Sequence, residues 1–435
     1  MKHRPYVLRN VSIEGANPRD VAVAEGAYVR LDALGHDADQ IDCKGLILLP
    51  GLVDLHTHLR DPGDGRAETM ESGTRAAAAG GYTTVFAMAN TTPVADSVEV
   101  VERVVGSAAS TNCEVRPVGA LTKGLEGREL ADIRGMASSR AQVTWFSDDG
   151  HCLSDSALMR EALIMVRDVD GTLAQHAQDP NLTRGAQIND GAAMAKKLDL
   201  PGWPPMAEEV IIARDAIMAH HLGSRVHVCH VSTEGSMEVV RWAKEQGFPI
   251  TAEVAPHHLT LTDESAGEDP AFKVNPPLRS ARDVAAVTKG LMDGVIDVVA
   301  TDHAPHPDSE KGRCWSAAPM GMLGLETALP IMSEFVAAGT LSWSQLADRM
   351  CRTPARLGKL DDDRRNPGGP GKPATFCLID PNDPWTLRAE NLQSRGHNTP
   401  YDRRRFPARV MFTAREGRGV FDELAKRGSV RGGPR

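Results

Sequence analysis

The sequence predicts an α/β protein: a TIM-like (β/α)8 barrel carrying a small β-sandwich module built from both chain termini. Three observations point there. Between about residues 51 and 360, apolar runs of strand length alternate with helical stretches; such alternation implies a parallel sheet, and eight repeats of it a closed barrel. Short strand-like segments with turns fill residues 1–50 and reappear in 361–435. A length of 435 residues exceeds one ordinary domain and suits one large barrel beside a smaller module.

The elements follow in order. Residues 6–13, 21–24 and 45–49 read as N-terminal strands. The barrel strands are expected at 52–58, 82–88, 113–118, 142–147, 172–176, 225–231, 249–254 and 296–301. Between them 67–79, 97–108, 156–169, 206–221 and 236–246 carry apolar residues at helical spacing. Residues 366–372 (NPGGPGK) are turn-rich, and strand-like text returns at 374–379 and 408–412. The glycine-rich turn is no phosphate loop, because no Lys-Ser or Lys-Thr opens a helix there.

Composition narrows the function. Hydrophobic residues make up 41% and aromatics only 4%, so small aliphatic side chains must do most of the packing. The net charge of −9 lacks the clustered basic face of a nucleic-acid binder. Arg403–Arg405 and the basic tail to Arg435 read as solvated surface. Seven scattered cysteines with no Cys-x-x-Cys argue against a disulfide framework or thiolate zinc site, and for a reducing compartment. No signal-peptide pattern opens the chain, and no run approaches the roughly 18 apolar residues of a membrane span. A cytoplasmic protein is expected.

Chemistry in such a barrel sits at the C-terminal ends of the strands. The first strand ends in His56 and His58, the fourth in FSDDG (146–150), the fifth in His176, the sixth in HVCH (227–230) and the eighth in ATDHAPH (300–306). Residues i and i+2 of a strand face the same way, so His56 and His58 can grip one ion. Imidazole and carboxylate donors without thiolate suit zinc, and also manganese, cobalt or iron.

These stretches carry a resemblance. The motifs PGLVDLHTHLR (50–60), GGYTT (80–84) with MANTTP (88–93), FSDDG, HVCHVST (227–233), PHHL (256–259), KVNPPLR (273–279) and ATDHAPH resemble the amidohydrolase superfamily. Within it they are most similar to the dihydroorotase family of the longer bacterial type. The resemblance implies that His56, His58 and Asp302 hold one metal and His176 and His230 a second. Two zinc ions per subunit are favoured, bridged by a hydroxide and by Asp149, which replaces the carboxylated lysine of other members; Asp148 is the neighbour it could be confused with. Arg60, His58, Asn90, Asn275 and His306 would contact the substrate, together with the Met320-Gly321 backbone. Relatives usually show Phe-Gly at that last place, so Met320 is a departure.

The implied reaction is the reversible, zinc-dependent cyclisation of N-carbamoyl-L-aspartate to L-dihydroorotate in pyrimidine synthesis, with Asp302 as the catalytic proton carrier. A homodimer and association with aspartate transcarbamoylase are implied too. Two rivals stand beside it. One is a hydantoinase, allantoinase or dihydropyrimidinase, which would rely on the bridging lysine. The other is a non-catalytic partner of the transcarbamoylase, against which the complete ligand set argues. Several residues are given structural roles: His257 and His258; His227, turned away from His230 by strand parity; His220 and His221; and Cys229 as core. Asp54 is expected behind the ligand pair, and 305–319 as a mobile rim loop.

Overall fold

The computed structural model describes residues 4–35, 37–360, 367–425 and 430–431; residue 366 and the tail beyond 431 lie outside them. The termini meet in one nine-stranded sheet. Tyr6–Ile13, Arg19–Ala24, Ala27–Val29, Asp39–Asp42 and Ile47–Pro50 come from the N-terminal side, and Phe376–Asp380, Arg409–Arg415, Arg418–Asp422 and Val430–Arg431 from the C-terminal side. Phe376–Asp380 is antiparallel to both Ile47–Pro50 and Arg409–Arg415, so the returning chain is zipped directly onto the entering one. Apolar residues of both halves, among them Leu8, Val21, Val23, Tyr28, Leu48, Phe376, Leu378 and Met411, share one core.

Phe376 is fully buried there, its ring 6.1 Å from Tyr28 and 6.0 Å from Phe412. Phe376→Ala removes those contacts and leaves a cavity, so urea unfolding should show a loss of about 3–5 kcal/mol. A loss under about 1 kcal/mol would mean that the two termini do not share a packed core.

All eight expected parallel strands are present, trimmed by a few residues at their ends. Leu52–Thr57, Tyr82–Ala87 and Glu114–Pro117 pair in parallel as one arc. Trp145–Phe146, Thr172–Gln175, Val226–Val228, Ile250–Val254 and Val298–Val299 form a second. Single parallel bridges join the arcs at both edges, Gly119 to Phe146 and Thr57 to His303. A helix follows each strand: Met70–Ala79, Val98–Ser107, Ile133–Ser138, Ser156–Asp168, Met206–Leu222, Glu234–Glu245, Ala281–Asp293 and Ala328–Ala337.

Local sequence explains where these helices start and stop. Thr69, Thr233, Ser280, Asp132 and Asp155 each accept a backbone N–H of the first turn, satisfying a donor that the helix leaves free. Gly223 and Gly294 end two of the helices in the left-handed conformation. Val100, Val104, Leu163, Val166, Ile212 and Val240 pack between helices and strands in the main core. Val53, Leu55, Phe86, Trp145, Ala174 and Val298 form a separate cluster.

The C-terminal stretch also reaches back over the strands. Trp385–Thr386 pairs with Arg405–Phe406, and the loop between them carries Ser394 and Asn398 to the ends of the parallel strands. Ser394 Oγ donates to the buried Glu68 at 2.5 Å, and Glu68 in turn lies 3.4 Å from His303 Nε2.

Candidate active site

The six ligand candidates meet in one buried cluster at the strand ends. Asp149 stands between two imidazole pairs. Its Oδ2 lies 3.3 Å from Nε2 of both His56 and His58, and its Oδ1 lies 3.2 Å from His176 Nδ1 and from His230 Nε2. Asp302 Oδ1 flanks the first pair, 3.2 Å from His58 Nε2 and 3.5 Å from His56 Nε2. Asp148 faces elsewhere: its carboxylate accepts from the Leu121 and Thr122 amides at 2.8 and 3.0 Å and from the Thr122 hydroxyl. Neighbours in sequence, the two aspartates have separate tasks.

These donors fit a divalent cation. Two ligands each about 2.1 Å from a tetrahedral centre stand about 3.4 Å apart, close to the separations around Asp149 and Asp302. His56 Nε2 is buried without a hydrogen-bond partner and aims into the cluster. Burial disfavours a charged His56, yet Asp149 and Glu253 outweigh it and raise its affinity for a positive charge; a metal ion answers the same demand as a proton. Burial would also raise the Asp149 and Asp302 carboxyls. The surrounding histidines win, so both are held well below the usual carboxylate range.

The backbone is bent to make this convergence. Arg60, His230 and Asp302 have φ of 56°, 32° and 48°, a region that non-glycine residues occupy at a cost of order 1 kcal/mol. All three lie just past strand ends, where the chain must turn its side chains onto the rim.

Glu253, on the seventh strand, was not anticipated. Its Oε1 accepts from His56 Nδ1 at 2.6 Å and its Oε2 from His227 Nε2 at 3.1 Å. By holding the proton on His56 Nδ1 it leaves Nε2 free to act as a ligand. Burial opposes its charge, but His56 and His227 keep its pKa down at about 2. A single carboxylate inside the apolar run 249–254 (PITAEV) was the available signal, since a buried charge needs partners. His227 is fully buried, its ring held by Thr251 and Glu253, while the His230 ring turns to His176 and Asp149 and only its backbone N meets Glu253, at 3.4 Å. Asp54 accepts from the His56 and Thr301 amides at 3.2 and 3.0 Å, so it ties the first and eighth strands and touches no ligand ring.

The expected substrate contacts line the same rim and are already engaged. His58 Nδ1 donates to Asn90 Oδ1 at 2.9 Å, while Asn90 Nδ2 donates to the Asp149 carbonyl at 3.3 Å. Asn275 Nδ2 donates at 3.3 Å to Gln178 Oε1, which also meets His176 Nε2 at 2.9 Å. Arg60 Nε is 3.4 Å from the Pro305 carbonyl. His306 Nε2 donates to the Met320 carbonyl at 2.7 Å. Gly321 has φ 134°, and a Cβ there would stand 2.7 Å from Ala304 Cβ and 2.9 Å from His306 Nε2, so only glycine fits. Asn398, 92 residues from His306 in sequence, accepts from the His306 amide at 3.0 Å and donates to the Gly321 carbonyl at 3.1 Å. No local pattern marks it.

His257 and His258 are buried, and burial first, then nearby histidine charge, keeps them neutral, His257 with a pKa of about 4. No disulfide joins any of the seven cysteines. Among the described residues no helix is long and apolar enough to cross a membrane.

Known proteins resemble the chain over nearly its whole length. Residues 45–236 match the family model described as dihydro-orotase-like. The dihydroorotase of Streptomyces coelicolor is 51% identical over 422 residues, covering 95% of this chain and 97% of that protein. The dihydroorotase of Mycobacterium tuberculosis is 47% identical over 419 residues, covering 95% and 97%. Among solved structures, the L-hydantoinase (dihydropyrimidinase) from Arthrobacter aurescens superposes with a TM-score of 0.84 at 24% identity, covering 97% of each chain. Dihydropyrimidinase from Brevibacillus agri gives 0.82 at 20%, covering 97% of this chain and 95% of that one. The two solved structures share the fold with this chain. The sequence relatives share half or nearly half of its residues from end to end, and on that ground the chain belongs to the dihydroorotase family.

Proposed function

We infer that this chain opens and closes the dihydroorotate ring, as a metal-dependent cyclic amidohydrolase of pyrimidine synthesis. The observation that carries the inference is Asp149, with one oxygen on each histidine pair and Asp302 beside the first. The catalytic unit is a closed (β/α)8 barrel at residues 51–360. Residues 1–50 and 361–435 support it as a sandwich-like module. Bridges at both edges of the two strand arcs support closure.

His56, His58 and Asp302 would hold one ion, His176 and His230 a second, and Asp149 would bridge them; zinc is the ion we favour for an imidazole and carboxylate set. Bound ions of this kind polarise an amide carbonyl and acidify water toward a pKa of about 7. The chain's own groups do the rest. Glu253 and Asn90 fix the His56 and His58 rings through their Nδ1 protons. Asp302, ionised and bent onto the rim, takes the proton of the attacking water and gives it to the ring nitrogen as the C–N bond breaks. Run backwards, it takes that proton from the carbamoyl nitrogen and the ring closes with loss of water.

Arg60 binds the substrate carboxylate, for which a guanidinium offers a two-pronged match. Asn90, Asn275, His306 and the Met320-Gly321 turn surround the ring. Arg60→Met should therefore raise KM at least about tenfold with kcat changed less; steady-state kinetics with an unchanged KM would remove Arg60 from this role.

The test of the reaction is a substrate comparison on the pure, metal-loaded protein. Turnover of dihydroorotate, with hydantoin, allantoin and dihydrouracil far slower, is expected. Preference for a neutral ring would move the assignment to the hydantoinase side of the fold, despite the absence of lysine from 145–149 (WFSDD). A dimer, and association with aspartate transcarbamoylase, belong to the same proposal and are read by sedimentation of the protein alone and mixed with that enzyme.

A further inference from the structure

Two lysines beside the site are buried, with no acidic partner among the described residues. Lys311, at the end of the short helix Asp308–Lys311, is 5% exposed, and Lys273 is 3% exposed. Lys311 Nζ donates to three carbonyls: Lys273 at 2.9 Å, Pro319 at 2.9 Å and Gly321 at 2.6 Å. Lys273 Nζ donates to those of Trp315 and Ala318, both at 2.7 Å. Among the described residues no carboxylate lies within ion-pair distance of either ammonium. Three carbonyl acceptors around Lys311 call for three N–H donors, which only the charged form supplies. Burying such a charge is costly unless something repays it. Burial and the neighbouring Lys273 accordingly push the Lys311 pKa down to about 7.

What the two lysines fix is the rim loop expected to be mobile. Trp315, Ala318, Pro319 and Gly321 all lie within it or at its end, and the Gly321 amide also donates to the Lys273 carbonyl at 2.9 Å. Gly321 sits against His306, whose Nε2 is bound to the adjacent Met320 carbonyl. A line of contacts thus runs from the Lys311 ammonium through Gly321 to His306. We propose that Lys311, supported by Lys273, is a positioning residue for substrate recognition: it sets the Met320-Gly321 turn and His306 against the ring, and its unpaired charge favours an acidic substrate. This rests on the assignment of the site to dihydroorotate.

The experiment uses the metal-loaded full chain. Wild type is assayed first with dihydroorotate, and its failure to turn over would strike the site assignment itself. In Lys311→Gln, the amide can still donate to two carbonyls but carries no charge. KM for dihydroorotate should rise about tenfold or more while kcat stays within about threefold, with metal content unchanged. Lys273→Gln, which leaves the Lys311 cage intact, should shift KM the same way by less and serves if the first variant does not fold. An unchanged KM in the folded variant overturns the proposal. So does a joint fall of kcat, metal content and melting temperature, the pattern of a merely structural lysine.

Discussion

Asp302→Ala is expected to abolish dihydroorotate turnover, by at least about 10³-fold, in a protein that still folds. Positioned proton transfer alone contributes about 10²–10⁴ in rate, and the same side chain is a proposed ligand, flanking His56 and His58 at 3.5 and 3.2 Å. The companion variant is Asp302→Asn. Asparagine tolerates the left-handed backbone that Asp302 adopts at φ 48° better than alanine does, so it removes the negative charge and the proton site with little added strain. Both variants should keep the circular-dichroism spectrum and cooperative melting of the wild type. Retention of more than about a tenth of the activity by Asp302→Asn would contradict its role as proton carrier.

The second large effect is expected at the bridge. Asp149→Ala removes the oxygens shared by the two histidine pairs, leaving His176 and His230 without a carboxylate. Metal per subunit, measured by elemental analysis after gel filtration, should fall, and turnover should drop at least about 100-fold. Asp148→Asn is the control that separates neighbours. Asp148 holds the Leu121–Thr122 backbone, so its loss should lower stability by about 1–3 kcal/mol with metal content preserved. If the two substitutions exchanged these outcomes, the bridge would have been assigned to the wrong aspartate.

Much of this site was legible because its parts lie where a local pattern turns abruptly. His56 and His58, Asp149, His176, His230 and Asp302 each close an apolar run, and alternating strands and helices say that such ends share one rim. Strand ends were read too long for a physical reason. Val226–Val228 and Val298–Val299 are shorter than their apolar text, since the chain leaves regular pairing before it stops being buried. Glu253 was visible in principle as a charge in an apolar strand, but its two imidazole partners belong to other strands. Asn398 and Ser394 were invisible, because only the tertiary path of the C-terminal stretch brings them to the rim. That both termini build one β-module follows from the strand-like text at each end, but the pairing of Phe376–Asp380 with Ile47–Pro50 that zips them into a single sheet is a contact no local pattern encodes.

The most direct measurement is dihydroorotate ring opening by the purified protein before chelation, after it, and after zinc is returned, with metal per subunit counted at each stage. The account predicts turnover that vanishes with the metal and returns with zinc, in proportion to the ions bound. Turnover that persists in metal-free protein would contradict it, and so would a folded, zinc-loaded protein that leaves the dihydroorotate ring intact.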